Sequence, residues 1–175
     1  AILWAQGYRL NVQWAETQKR LKDSTPIKQM QVLSGTYFLM GIALLDSLAR
    51  KRENPDNGHS VNCRKQDLMA LDKTTVERWW SVLENGYVAA VKFMTDQGVL
   101  STRILPYSTL IVPLSAMLAD VKCRFGDVRM GAAWNKIERW YWCSVFSQRY
   151  SSQIEYASAR DYEQVMQWIE GGEPP

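Results

Sequence analysis

His59 is the only histidine among 175 residues, and the cysteines are Cys63, Cys123 and Cys143. Imidazole and thiolate are the side chains that most readily move a proton, hold zinc or attack a carbonyl near neutral pH. Their number and spacing therefore bound the available chemistry. His59 falls in Glu53 to Arg64 (ENPDNGHSVNCR), four residues before Cys63, with no further ligand clustered there. One histidine cannot furnish a histidine-based nuclease motif or a typical zinc set. It is read as an exposed loop residue, and no metal site is expected. The odd cysteine count and the lack of C-x-x-C spacing argue for reduced thiols and a cytoplasmic setting. There is no G-x-x-x-x-G-K-[ST] loop and no G-x-S-x-G elbow. The acid pairs Glu16/Asp23 and Glu163/Glu170 have the spacing of ordinary solvated helix faces. No residue set activates a water or a nucleophile, so the expectation is a chain that is not an enzyme by itself and has no cofactor.

The segment around Arg139-Trp140-Tyr141-Trp142 carries more information. On a helical wheel Trp134, Ile137, Tyr141 and Val145 make one apolar stripe, and Asn135, Arg139, Trp142, Phe146 and Arg149 a second. Two stripes predict a helix contacted on both sides, as a central helix would be. Trp142 and Phe146 are then core residues, or else part of an arginine–aromatic surface able to hold a phosphate or a base. Residues 121–160 contain seven bases (Lys122, Arg124, Arg129, Lys136, Arg139, Arg149, Arg160) against three acids (Asp127, Glu138, Glu155). Residues 161–175 contain four acids and no base. Arg129, Lys136, Arg139 and Arg149 are the candidate nucleic-acid-binding residues. The whole-chain charge of +3 is too small to argue for nucleic acid by itself.

The elements that must position these residues are helical. With 46% apolar residues the chain can build a core. The apolar run Tyr37 to Leu45 is about half a membrane span, so no membrane association is expected. Leu3, Tyr8, Val12 and Ala15 predict a first helix over about 2–22. Ser24-Thr25-Pro26 reads as a cap opening a helix to about Arg52, with Ile27, Met30, Leu33, Tyr37, Leu44 and Leu48 on its buried face. Gly35 and Gly41 inside it imply close helix packing. A polar, mobile loop follows over 53–64, then a short helix at 66–71. Asp72, Thr74 or Thr75 caps the next helix, which Gly98 ends. Pro113 predicts a kink or a late start in a helix over about 107–121. The last two helices are expected over 131–150 and 153–169, joined at Ser151-Ser152. The fold class is all-α: a single helical domain over 1–175 of six or seven helices, mostly antiparallel neighbours. The opening AILWAQGYRL has neither an initiator Met nor a leader pattern, and reads as a start inside a helix of a longer protein.

The combination of LPYSTLIVPLSAML, KIERWYWCSVFSQRYSS and ARDYEQVMQWIEGGEPP resembles the helical C-terminal portion of the "domain of unknown function 262" proteins, relatives of the GmrSD type IV restriction system. The matching motifs are Leu105-Pro106-Tyr107, Arg139 to Trp142, Arg149-Tyr150-Ser151 and Arg160-Asp161. The resemblance is firm over 99–175 and loose over 1–98. It implies a parent that is a nucleotide-dependent DNA endonuclease, with nucleotide chemistry in an N-terminal domain and, in many members, a C-terminal HNH nuclease. Neither motif is present, so no catalytic residue carries over. What it implies here is a non-catalytic scaffold between the parent's other domains, contributing to DNA contact. The other expectations are direct DNA binding by residues 122–160, or a stand-alone protein-interaction or oligomerisation module.

Overall fold

A computed structural model describes residues 7–24, 34–99, 107–126 and 130–175. It is all-α, a single helical domain with seven α-helices and no strand among the described residues. They are α1 (Leu10–Ser24), α2 (Gly35–Glu53), α3 (Lys65–Ala70), α4 (Lys73–Asp96), α5 (Ile111–Phe125), α6 (Met130–Phe146) and α7 (Ile154–Ile169). No helix among these residues is long and apolar enough to cross a membrane.

The central helix is α5, not the tryptophan-bearing α6. All eleven residues from Ile111 to Val121 are buried, and α5 packs against α2, α4, α6 and α7. Its sequence explains this. IVPLSAMLADV is apolar or small on every face except at Asp120, and a helix without a polar face belongs inside. Pro113 marks a late start. It lies in the first turn of α5, where its missing N–H costs nothing, after a single 3-10 turn at Ser108–Leu110.

The expected two-sided burial of α6 is corrected accordingly. Ile137 and Tyr141 of the first stripe are buried, with Ala133 and Trp140 beside them. The second stripe faces outward: Asn135, Arg139 and Arg149 are exposed, Trp142 is half-buried and Phe146 is 78% exposed.

Small residues set the tightest crossing. A Cβ on Gly86 of α4 would lie 2.3 Å from the Ser115 carbonyl oxygen and 2.7 Å from the Ala119 Cβ of α5. Gly41 packs on Leu83 and Gly35 on the Trp14 indole, the close packing their places in α2 implied. An aromatic cluster joins the N-terminal half. The Phe38 ring lies 5.1 Å from Trp14, 4.6 Å from Trp80 and 5.3 Å from Tyr87.

Several local expectations shift. Thr17 and Leu21 are the buried residues of α1, whereas Val12 and Ala15 are exposed. The start of α2 is at Gly35, where the Ser34 side chain accepts from the Thr36 N–H. The Ser24-Thr25-Pro26 cap and Ile27, Met30 and Leu33 lie on or beyond the edge of the described residues. Asp72, of the three candidates, caps α4 by accepting from the Thr75 N–H at 2.8 Å. The 53–64 loop is tied down at its end. Val61 and Cys63 are buried, and Ser47 bonds the Asn62 backbone.

Candidate functional site

Three carboxylates are buried among the described residues: Asp46, Asp120 and Asp161. Each is met by an arginine and an aromatic N–H or O–H. Asp46 accepts from Arg50 Nε at 2.6 Å and Trp79 Nε1 at 3.2 Å. Asp120 of α5 accepts from Arg52 at 2.8 Å and from the Tyr162 hydroxyl at 2.9 Å, linking α2, α5 and α7. Arg52 also bridges to Glu170. A buried charge is tolerable only when its lone pairs are filled, and these donors fill them. Burial, then the Asp120 charge, pushes the Tyr162 phenol well above its ordinary range, so it stays a donor.

Asp161 is the most elaborated of the three. Its Oδ2 accepts from Trp140 Nε1 at 3.0 Å and from the Tyr150 hydroxyl at 2.9 Å. Arg149 approaches with Nε at 2.7 Å from Oδ1 and 2.9 Å from Oδ2, and with a terminal nitrogen 2.5 Å from Oδ1. The turn after α6 makes this possible. Gln148 takes a left-handed conformation (φ +55°), and the Arg149 N–H bonds back to the Ser144 carbonyl. This closure is of the Schellman kind, and it swings Arg149 and Tyr150 back over α7. Gln153, also left-handed (φ +51°), starts α7. Hydrogen bonding to Asp161, against partial burial, raises the Arg149 pKa further. Burial first, then Asp161, pushes Tyr150 well above its ordinary range.

This hub forms one wall of a cleft of about 330 Å³ between α6 and α7. Helical spacing builds it. Arg139 and Cys143 of α6 and Ser147 in the turn just after it follow one another at i, i+4, and Arg160, Gln164 and Trp168 do so on α7. Pro174 and Pro175 complete the lining. The Arg139 guanidinium lies 5.9 Å from the Trp168 ring centroid and makes no ion pair among the described residues. Arg160 is exposed and likewise has no acidic partner among them.

The candidate nucleic-acid-binding residues are thus treated unequally. Arg129 lies outside the described residues. Lys136 is committed: its Nζ donates to the Trp168 carbonyl at 2.6 Å and lies 5.2 Å from that ring's centroid. Arg149 is committed to Asp161. Arg139 is the one with open donors. The structure brings Lys136 and Arg139 together around Trp168, and Arg139 and Arg149 to the same cleft. In the sequence Arg160 stands out only as charge and as half of Arg160-Asp161; its four-residue spacing to Gln164 and Trp168 is the signal that places it on the cleft.

His59 is exposed and lines a second recess of about 330 Å³ with Asp46, Arg50 and Asp67. Cys63 is apart from it in environment: its thiol donates to the Glu155 carbonyl, and burial pushes its pKa up to about 12. No three metal-ligating side chains cluster among the described residues.

The chain is similar to the uncharacterized protein MJ0686 of Methanocaldococcus jannaschii, with 28% identity over 173 residues. The match covers 95% of this chain and 25% of the length of that relative. No family model and no solved structure matches.

Proposed function

We propose that this chain is the non-catalytic helical scaffold of a larger GmrSD-like DNA-restriction protein. The observation that carries the reading is the meeting of Trp140, Arg149 and Tyr150 on Asp161. These four residues belong to three of the four motifs on which the family resemblance rests. Their polar atoms are spent on one another, which is the behaviour of a structural tie rather than of a reaction centre. Supporting it further, the similar archaeal protein is about four times as long as the part matched here. A contribution to DNA contact belongs to the same reading, with Arg139 and Arg160 as the donors left uncommitted.

The test is direct. The purified chain should neither hydrolyse nucleoside triphosphates nor cut duplex DNA with or without divalent cations. In the longer reading frame, Asp161→Ala should lower restriction activity in step with the loss of folded protein. Hydrolysis or cleavage by the isolated chain, with contamination excluded, overturns the reading.

A second reading, an oligomerisation or interaction module, is favoured by one feature. Phe146 is 78% exposed and stacks on Trp142 at 5.7 Å. Large aromatics in such positions commonly belong to interfaces. Light scattering of the wild type and of Phe146→Asp tests it: an unchanged monomer in both counts against it.

A further inference from the structure

We infer that the α6–α7 cleft is a binding site for a terminal phosphate group, a phosphate monoester, gripped by Arg139 and Arg160. The inference goes beyond the scaffold reading and does not depend on it. Three observations carry it. The first is charge. The side chains lining the cleft include those of Arg139, Arg149 and Arg160 and a single carboxylate side chain, Asp161, which is already neutralised by Arg149. Two guanidinium forks are left over, matching the two negative charges of a monoester. The second is preorganisation. Arg139 is held near the Trp168 ring without spending its N–H donors on an acceptor among the described residues. Arg149, fixed on Asp161, makes the wall behind them rigid. A guanidinium already held in place loses less rotamer freedom when it binds. The third is shape. A recess of about 330 Å³ is within the range of small-molecule sites. It admits the end of a molecule better than a strand running through. Gln164 of α7 supplies an amide donor, and Cys143 lines the cleft from α6.

Two sources could present such a group: a free nucleoside monophosphate, or the 5′-phosphate at the end of a nucleic-acid strand. The phosphate chemistry is the same, and the experiment separates them. Cys143 is an exposed thiol in the cleft, Cys123 is exposed elsewhere, and Cys63 is buried. In a Cys123→Ala background the rate of Cys143 alkylation by iodoacetamide therefore reports occupancy. The probes are inorganic phosphate, adenosine 5′-monophosphate, and one short single strand with a 5′-phosphate or a 5′-hydroxyl.

Saturable slowing of alkylation, at least threefold, by a monoester is expected. Arg139→Gln/Arg160→Gln should weaken the apparent affinity at least tenfold, whereas Lys92→Gln, a charge change on α4, should leave it unchanged. Both arginines are exposed, and circular dichroism checks that the variant folds. Protection by the mononucleotide but not by the 5′-phosphorylated strand identifies a free ligand. Protection by the 5′-phosphate strand and not by its 5′-hydroxyl twin identifies a strand end. Either supports the site. No protection by any monoester at millimolar concentration overturns it. So does equal protection by both strands, or protection that survives the double arginine change. A failure here leaves the scaffold reading standing, because that reading falls only to catalysis by the isolated chain.

Discussion

Replacing Asp161 tests whether the motif residues form a structural tie. In Asp161→Ala the Trp140 indole N–H and the Tyr150 hydroxyl lose their acceptor. Both residues are buried, at 5% and 2% exposure. A buried donor left unmatched costs about 1–3 kcal/mol, so the two together cost about 2–6 kcal/mol. The Arg149 pair adds little, because that side chain is 36% exposed and can turn to water. Asp161→Asn is milder. The amide keeps the shape and one carbonyl oxygen, and it can point its NH2 toward Arg149, the partner that water can replace. Two charge-assisted bonds then become neutral ones, for a loss of about 1–3 kcal/mol. The assay is urea unfolding followed by far-ultraviolet circular dichroism, with linear extrapolation for wild type, both variants and Arg149→Gln. Combining Arg149→Gln with Asp161→Asn should cost less than the sum of the two, by about 1 kcal/mol. A loss below about 1 kcal/mol in Asp161→Ala would refute the reasoning, since a polar cluster that can be emptied without cost ties nothing together.

Three further outcomes are expected. Gly86→Ala should destabilise by about 2 kcal/mol or more in urea unfolding, because its Cβ would strike the α5 backbone. Gly41→Ala, facing only the Leu83 side chain, should fall within about 1 kcal/mol of wild type, with the helix-propensity gain offsetting the crowding. Stability should also fall steeply above pH 10. Unfolded phenols ionise near 10, whereas burial pushes Tyr141 up to about 12 and Tyr150 and Tyr162 well above their ordinary range. The native state therefore keeps protons that the unfolded chain has lost. Each such tyrosine removes about 1.4 kcal/mol per pH unit as the pH rises, and urea midpoints between pH 9.5 and 11.5 should show a shallower slope in Tyr141→Phe. The same change deletes a buried hydroxyl with no hydrogen-bond partner among the described residues, so Tyr141→Phe should be neutral or up to about 1 kcal/mol more stable at pH 7. Finally, Phe146→Ala should lie within about 0.5 kcal/mol of wild type. Trp142→Ala should cost less than the 3–5 kcal/mol of a core tryptophan, and Trp140→Ala should reach that range.

Helix-forming residues and their punctuation were legible because they act over a few positions. A cap at Asp72, Thr74 or Thr75, a stop at Gly98 and a kink or late start at Pro113 are local options, among which a neighbouring backbone N–H or φ angle decides for Asp72, the stop and the late start. The order of burial was not legible in the same way. The wheel gives α6 two apolar stripes and leaves Trp142 and Phe146 as core or as an arginine–aromatic surface. Trp142 is half-buried at the edge of the core and Phe146 is exposed, because α5, with no polar face except at Asp120, is more costly to expose and occupies the centre. What competes for the core is the whole set of helices, and no single window contains that competition.

The basic residues illustrate the same limit at the level of the site. Lys136, Arg139 and Arg149 carry equal charge in the sequence, yet one is held by a carbonyl, one by a carboxylate and one by neither. The difference lies in partners at positions 161 and 168, on another helix. It is imposed by the left-handed turn at Gln148, which brings that helix back alongside. A count of bases over residues 121–160 treats these as one patch. At the α6–α7 cleft the fold divides them into positive charge consumed in holding α6 to α7 and positive charge left over, among the described residues, at Arg139 and Arg160. Only the second kind can respond to an added anion. A binding experiment should therefore move with Arg139 and Arg160, and a folding experiment with Arg149 and Asp161. If the four residues behaved alike in both, this division of labour would be wrong.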